Sequence, residues 1–263
     1  MSDACPPAFI DLAGRLADAA GVVARRYFRQ PVDVEAKADQ SPVTVADREA
    51  EAAMRELIEA EFPDHGIAGE EHGDVRTDAE YVWHLDPIDG TRSFISGKPV
   101  FGILVGLARH GRPLLGVIDQ PVNGERWLGA AGRPTTLNGQ PVSVRACPGP
   151  ALATMFTTGR EWYQGDELDA LERMLAAVKM TMWSSDCYGF ALLSTGFADI
   201  AMEAGMENYD FCALVPVVEG AGGIFSDWQG NPVTIGNGAQ VLAAGDARVH
   251  AAALKLLAGE GQI

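Results

Sequence analysis

The stretch Tyr81-Val82-Trp83-His84-Leu85-Asp86-Pro87-Ile88-Asp89-Gly90-Thr91 decides how the rest of the chain is read. Tyr81 to Leu85 form a short apolar strand that runs straight into an acidic turn. Asp86 and Asp89 leave the strand end three residues apart, in a segment stiffened by Pro87. A turn of this kind can aim two carboxylates and the Ile88 carbonyl at one point. Oxygen-only ligands suit Mg²⁺ or Mn²⁺ and do not suit zinc. If Gly90 and Thr91 open a helix, their free N–H groups face the same spot and set an anion site beside a cation site. Asp, Pro and Gly are also the usual turn residues, so these residues by themselves fit a plain turn equally well.

Outward from this segment the chain divides in two. On its N-terminal side, Phe9, Leu12, Ala13, Leu16, Ala20, Val23, Ala24 and Tyr27 recur at helical spacing and predict an amphipathic helix. A second helix is expected over 45–62, with Thr44 and Asp47 as a capping box at its start. On its C-terminal side, 100–108, 114–118 and 126–128 are expected to be successive antiparallel strands, separated by turns at 109–112 and Asn123-Gly124. Past Pro148 the rhythm becomes alternating. Helices near 168–178, 188–195 and from Tyr209 alternate with strands near 180–183, 198–203 and 224–227. Residues 1–147 are expected to form an α+β half and residues 148–263 an α/β half of one structural unit.

Composition narrows the function classes. The chain has 263 residues, 47% of them hydrophobic, which is enough for a continuous core. No apolar run approaches the roughly 18 residues of a membrane helix, and the start, MSDACPPAF, lacks a secretory pattern. A cytoplasmic protein without a membrane partner is expected. The four cysteines, Cys5, Cys147, Cys187 and Cys212, are scattered and contain no C-x-x-C pair, so they are expected to be reduced and structural. A formal net charge of −16 disfavours nucleic acid as a partner. It also repels phosphorylated small molecules, so a phosphate site would need local positive charge, which divalent cations supply.

Two further carboxylate clusters lie outside the central stretch. Gly69-Glu70-Glu71 precedes the strand at Tyr81, and Tyr209-Asp210-Phe211 opens an apolar helix. Taken singly, Asp210 is a helix N-cap, Glu70 a solvated loop residue and Asp47 the capping partner of Thr44. Taken in order, G-E-E at 69–71, D-P-I-D-G-T at 86–91, Y-D-F at 209–211 and G-G-I-F-S-D at 222–227 resemble the signature of the inositol monophosphatase-like superfamily. The likeness spans roughly residues 37 to 230.

The resemblance implies a layered αβαβα sandwich of the inositol monophosphatase and fructose-1,6-bisphosphatase type, usually a homodimer. It implies a phosphomonoesterase using two or three Mg²⁺ ions, with Mn²⁺ a possible substitute and Li⁺ inhibitory. Glu70, Asp86, the Ile88 carbonyl, Asp89 and Asp210 would hold the metals. Thr91 and Glu70 would orient a metal-activated water. Asp47 would be an outer carboxylate supporting a third, weaker metal or its waters. Gly90, Thr91 and Lys37 would meet the phosphate. No phosphoenzyme is implied, and none of the five histidines is needed. His84 is expected to be packed and hydrogen-bonded; His65, His72, His110 and His250 are expected on loops or the surface. A haloacid-dehalogenase phosphatase would need D-x-D, whereas this chain has D-x-x-D.

The resemblance implies a small phosphate ester as substrate. Arg92 in D-G-T-R-S-F-I-S-G, together with V-I-D-Q-P at 117–121 and the run from Tyr209 to Gly223, resembles the histidinol-phosphate phosphatases of the superfamily. Glu203 matches an acidic substrate-side position, and Asp186 stands where the inositol enzymes place a small residue. Carboxylates at 186 and 203 would pair with the ammonium and imidazole of histidinol phosphate. The alternatives are a broad inositol monophosphatase and a 3′-phosphoadenosine 5′-phosphate phosphatase.

Overall fold

The chain opens with α1 (Pro7–Tyr27), whose stripe of Leu12, Leu16, Ala20 and Ala24 is fully buried. In the computed structural model, residues 4–31, 34–36 and 42–260 are described. A small ribbon, β1 (Val34–Ala36) with β2 (Pro42–Thr44), leads into α2 (Val45–Glu61). The expected capping box is present: the Thr44 amide donates to Asp47 Oδ2 at 2.9 Å, and the Ala46 amide donates to Thr44 Oγ1 at 3.1 Å. α1 and α2 lie together on one face of a seven-stranded sheet.

That sheet runs in strict chain order through β3 (Gly66–Gly69), β4 (Tyr81–Asp89), β5 (Gly102–Arg109), β6 (Arg112–Gln120), β7 (Glu125–Ala130), β8 (Arg133–Leu137) and β9 (Gln140–Pro141). Only β3 and β4 are parallel. α3 (Thr91–Ile95) sits between β4 and β5. A second sheet has the order β11-β10-β12-β14-β13, formed by β10 (Thr154–Thr157), β11 (Met180–Trp183), β12 (Ile200–Ala204), β13 (Ile224–Asp227) and β14 (Gln240–Ala244). Between the sheets lie α5 (Asp186–Ser194), α6 (Asn208–Phe211) and α7 (Leu214–Gly220), and outside the second sheet lie α4 (Asp166–Ala177) and α8 (Ala247–Leu257). The layers therefore run α–β–α–β–α, the expected sandwich. Three buried apolar clusters fill the spaces between successive layers. Each fully buried leucine or isoleucine there contributes roughly 1.5–3 kcal/mol.

One feature of the first sheet positions the inner helices. Gly106, Gly116 and Gly129 are paired across β5, β6 and β7. A Cβ at any of them would collide with the chain at Cys212–Ala213 or Pro216–Val217. The glycine row lets the α6–α7 backbone lie directly on the sheet, which sets the height of Asp210 above β4.

Several boundaries differ from expectation. The strand expected to stop at Leu85 continues through Asp89, and the helix expected from Tyr209 is divided into α6 and α7. β3, Gly-Ile-Ala-Gly, is too short and too glycine-rich to carry a periodic signal. His84 is packed but not hydrogen-bonded: neither ring nitrogen has a partner among the described residues, and burial pushes its imidazole down to about 4. His65 is half-buried, accepting at Nδ1 from Trp83 Nε1 at 3.1 Å, and His250 is buried against Ser226 Oγ at 2.8 Å. All four cysteines are buried and free.

Candidate active site

β4 delivers the first two carboxylates. In an unbroken strand, residues three apart point to opposite faces. Asp86 pairs with Leu104 and Asp89 with Gly102, so the register slips by one residue between them. The slip falls between Asp86 and Asp89, a span that includes Pro87, which has no N–H to give to the ladder. It turns Asp89 to the side of Asp86. The Ile88 amide donates to Asp86 Oδ1 at 3.0 Å, closing the bend from within. Gly90 then takes a left-handed conformation, φ 82°, from which α3 starts at Thr91.

Three other elements converge on this bend. β3 runs beside β4, and the Glu70 amide donates to Leu85 O at 3.2 Å, which places Glu70 against Asp86. α6 presents Asp210, whose Oδ2 accepts from the Glu207 amide at 2.7 Å. α2 presents Asp47; its Oδ2 is held by Thr44, while its Oδ1 lies 3.5 Å from Thr91 Oγ1. The Thr91 hydroxyl is closer to Ile88 O, at 3.2 Å. Oxygens of Asp86, Asp89 and Asp210 all lie within 4.8 Å of one another.

Electrostatics in this cluster are adverse without a cation. Burial, followed by the charges of Glu70, Asp89 and Asp210, raises the Asp86 carboxyl well above its usual range. Burial and then the Asp186 charge push Asp89 up to about 7, and burial and then Asp89 raise Asp210 strongly. Among the described residues no lysine or arginine forms an ion pair with any of the three. A group of hard oxygens from one buried and two half-buried carboxylates, without imidazole or thiolate, fits a divalent cation of the Mg²⁺ class.

Beyond the cluster the same cavity, about 400 Å³, extends past Thr91 and Arg92 to Asp186 and Glu203. The Cys187 amide, in the first turn of α5, donates to Asp89 Oδ2 at 2.6 Å. Ser93 Oγ donates to Asp186 Oδ2 at 2.6 Å. Glu203 on β12 accepts from the Thr158 amide at 2.6 Å and from Thr158 Oγ1 at 2.9 Å. Burial raises both carboxyls, Glu203 strongly. Arg92 pairs with Glu161 at 3.0 Å and stacks over the Trp162 ring at 4.7 Å, across the mouth of the cavity. Lys37 lies outside the described residues. Ser93, Thr158 and the Cys187 amide were not anticipated. Ser93 had a signal, standing two residues past Thr91, but the other two meet the site only through the fold.

Residues 8–261 match the inositol monophosphatase family. A chloroplastic bifunctional phosphatase, IMPL2, of Arabidopsis thaliana is 46% identical over 98% of this chain and 77% of its own length. A histidinol-phosphatase of Chlorobaculum parvum is 37% identical, covering 84% of this chain and 86% of its own. A solved inositol monophosphatase from Zymomonas mobilis superposes with a TM-score of 0.88 at 44% identity, covering 95% of this chain and 97% of that one. No helix among the described residues is long and apolar enough to cross a membrane.

Proposed function

We propose that this chain, which belongs to the inositol monophosphatase family and is thereby a phosphoric monoester hydrolase, hydrolyses L-histidinol phosphate to L-histidinol and phosphate with Mg²⁺. One observation carries the choice of substrate. The cavity that begins at the acidic cluster holds two more carboxylates, Asp186 and Glu203. A phosphate at the cluster leaves the rest of the substrate facing them. Histidinol offers an ammonium and a protonatable imidazole as partners, whereas a neutral polyol offers hydroxyls alone. The relative named histidinol-phosphatase supports the same reading.

In this proposal Glu70, Asp86, the Ile88 carbonyl, Asp89 and Asp210 hold the cations, and Asp47 supports a further ion or its waters. When bound, such ions neutralise phosphate charge and make a water nucleophilic near neutral pH. The chain's own groups do the rest. Thr91 and Glu70 orient the attacking water, with Asp47 steadying the Thr91 hydroxyl. The amides of Gly90 and Thr91, with Lys37, receive phosphate oxygens. Water oxygen bonds to phosphorus as the ester P–O bond breaks, and the alcohol leaves with a proton. Arg92, through Glu161 and Trp162, frames the entrance on the substrate side.

A panel of L-histidinol phosphate, inositol 1-phosphate and 3′-phosphoadenosine 5′-phosphate, assayed with Mg²⁺ and with chelator, tests this. Histidinol phosphate should be much the fastest and chelator should stop turnover. Comparable rates on inositol 1-phosphate would defeat the choice of substrate. The solved relative named as an inositol monophosphatase keeps that ester as the second reading. The homodimer belongs to the same proposal. The edge strand β11 carries Met180, Met182 and Trp183 at 48%, 42% and 42% exposure, a surface suited to cover by a second copy.

A further inference from the structure

Glu51 lies on the buried face of α2, one turn beyond Asp47, and has no accessible surface. A fully buried carboxylate is rarely left in a core without several partners. Glu51 has three. The amide of Glu71 donates to its Oε2 at 2.7 Å, the amide of His72 donates to its Oε1 at 3.1 Å, and Arg55 Nε donates to Oε1 at 2.7 Å. Arg55 in turn donates from Nη2 to His72 O at 2.8 Å. The His72 ring joins from the other side, its Nε2 bonded to Arg48 O at 3.0 Å. Apart from the Arg55–Glu51 pair, which lies within α2, and the His72 ring's own bond to Arg48 O, which runs from that loop back to α2, all of these bonds fall on the loop that directly follows Glu70. Gly69, immediately before it, has no room for a Cβ, because the Glu51 carboxylate occupies that space.

We propose that Glu51 is a positioning residue that fixes the 69–72 loop on α2 and so holds the Glu70 carboxylate against Asp86. The inference rests on the reading of Glu70 as a metal ligand. The amide of Glu70 is tied to Leu85 O on its β4 side. The two amides after it are tied to Glu51. Between these anchors the Glu70 backbone has little freedom, so its side chain reaches the cluster from one direction. Because Asp47 and Glu51 share a helix face, α2 sets both carboxylate edges of the site from a single rigid element. A glutamine at 51 would turn an –NH₂ donor toward one of the amide donors and loosen the loop without changing side-chain size.

The test compares the full chain with Glu51→Gln, Gly69→Ala and the surface control Glu59→Gln. Hydrogen exchange of the 70–73 amides and direct Mn²⁺ binding by electron paramagnetic resonance are read alongside turnover. Glu51→Gln should speed exchange of the Glu71 and His72 amides by tenfold or more, weaken Mn²⁺ binding about tenfold and lower kcat, with global exchange in α2 preserved. Gly69→Ala, which displaces the intact Glu51 carboxylate, should do the same, and Glu59→Gln should do neither. Unchanged loop exchange and Mn²⁺ affinity in folded Glu51→Gln would overturn the proposal. If the parent chain binds Mn²⁺ yet hydrolyses none of the esters, the proposed function fails while exchange and Mn²⁺ binding still judge Glu51.

Discussion

The backbone amide of Cys187 donates to Oδ2 of Asp89 at 2.6 Å, joining the first turn of α5 to the acidic bend at the end of β4. The bond holds the Asp89 carboxylate in the cluster in which oxygens of Asp86, Asp89 and Asp210 lie within 4.8 Å of one another. It also ties the second half of the chain to the first at the point where chemistry is expected, so both sheets must be in place before the cluster is complete.

Asp89→Asn can keep this bond, since an amide oxygen still accepts from Cys187, while removing a charge from the cluster. Turnover should fall on the order of 1,000-fold with the fold intact. A far-ultraviolet circular dichroism spectrum beside steady-state rates checks both halves of the statement.

Metal removal should expose the repulsion among these acids. Asp89 is raised from 3.8 to about 7, chiefly by burial and then by Asp186, so the folded metal-free protein holds a proton there that the unfolded chain has lost. The stability from that proton is present below about pH 4 and fades as pH rises through about 7. Chelated protein should therefore show Tm falling between pH 5 and 8. Added Mg²⁺ should restore it, and Asp89→Asn should flatten the slope. A chelated Tm that does not change over this range would contradict the assignment.

Asp186→Ala should lower kcat/KM for histidinol phosphate at least about tenfold more than for glycerol phosphate, the ratio expected of one lost charge-assisted hydrogen bond. Equal losses on both esters would mean that Asp186, held by Ser93 Oγ at 2.6 Å, shapes the wall without reading charge.

Gly116→Ala lies outside the cavity, yet its new methyl would collide with the Ala213 carbonyl. It should cost about 1–3 kcal/mol, as overpacking does, and should weaken metal binding by lifting Asp210. Denaturant melts and Mn²⁺ titration measure the two effects together.

At the acid limit Arg145 and Asp199 should matter. Burial works to raise the Asp199 carboxyl, but the Arg145 guanidinium, bonded at 2.7 and 2.5 Å, and the Thr154 amide at 2.7 Å hold it below the usual carboxylate range. Its stabilising contribution is present above the ordinary carboxylate pKa and is lost as pH falls through the lower folded value. Asp199→Asn should cost about 1–3 kcal/mol at neutral pH and less in acid, read by urea unfolding across that range.

The ordered fragments G-E-E, D-P-I-D-G-T and Y-D-F were legible because each is local chemistry. Carboxylates, a proline and a glycine at fixed spacing constrain the chain whatever surrounds them, and the capping box at Thr44 and Asp47 is of the same kind. The short strands β3 and β10 were not legible, since four residues seldom show a period. Nor was His250, whose burial depends on Ser226 across the fold.

The sequence by itself determined which oxygens could serve the site and that they fall in four separate stretches. Only the tertiary structure decided that they meet. The slip between Asp86 and Asp89 needs β5 as its reference, the bond from Cys187 spans 98 residues, and Glu51 reaches a loop 20 residues away. Contacts over such distances leave no spacing rule in a chain, because packing of the layers sets their geometry.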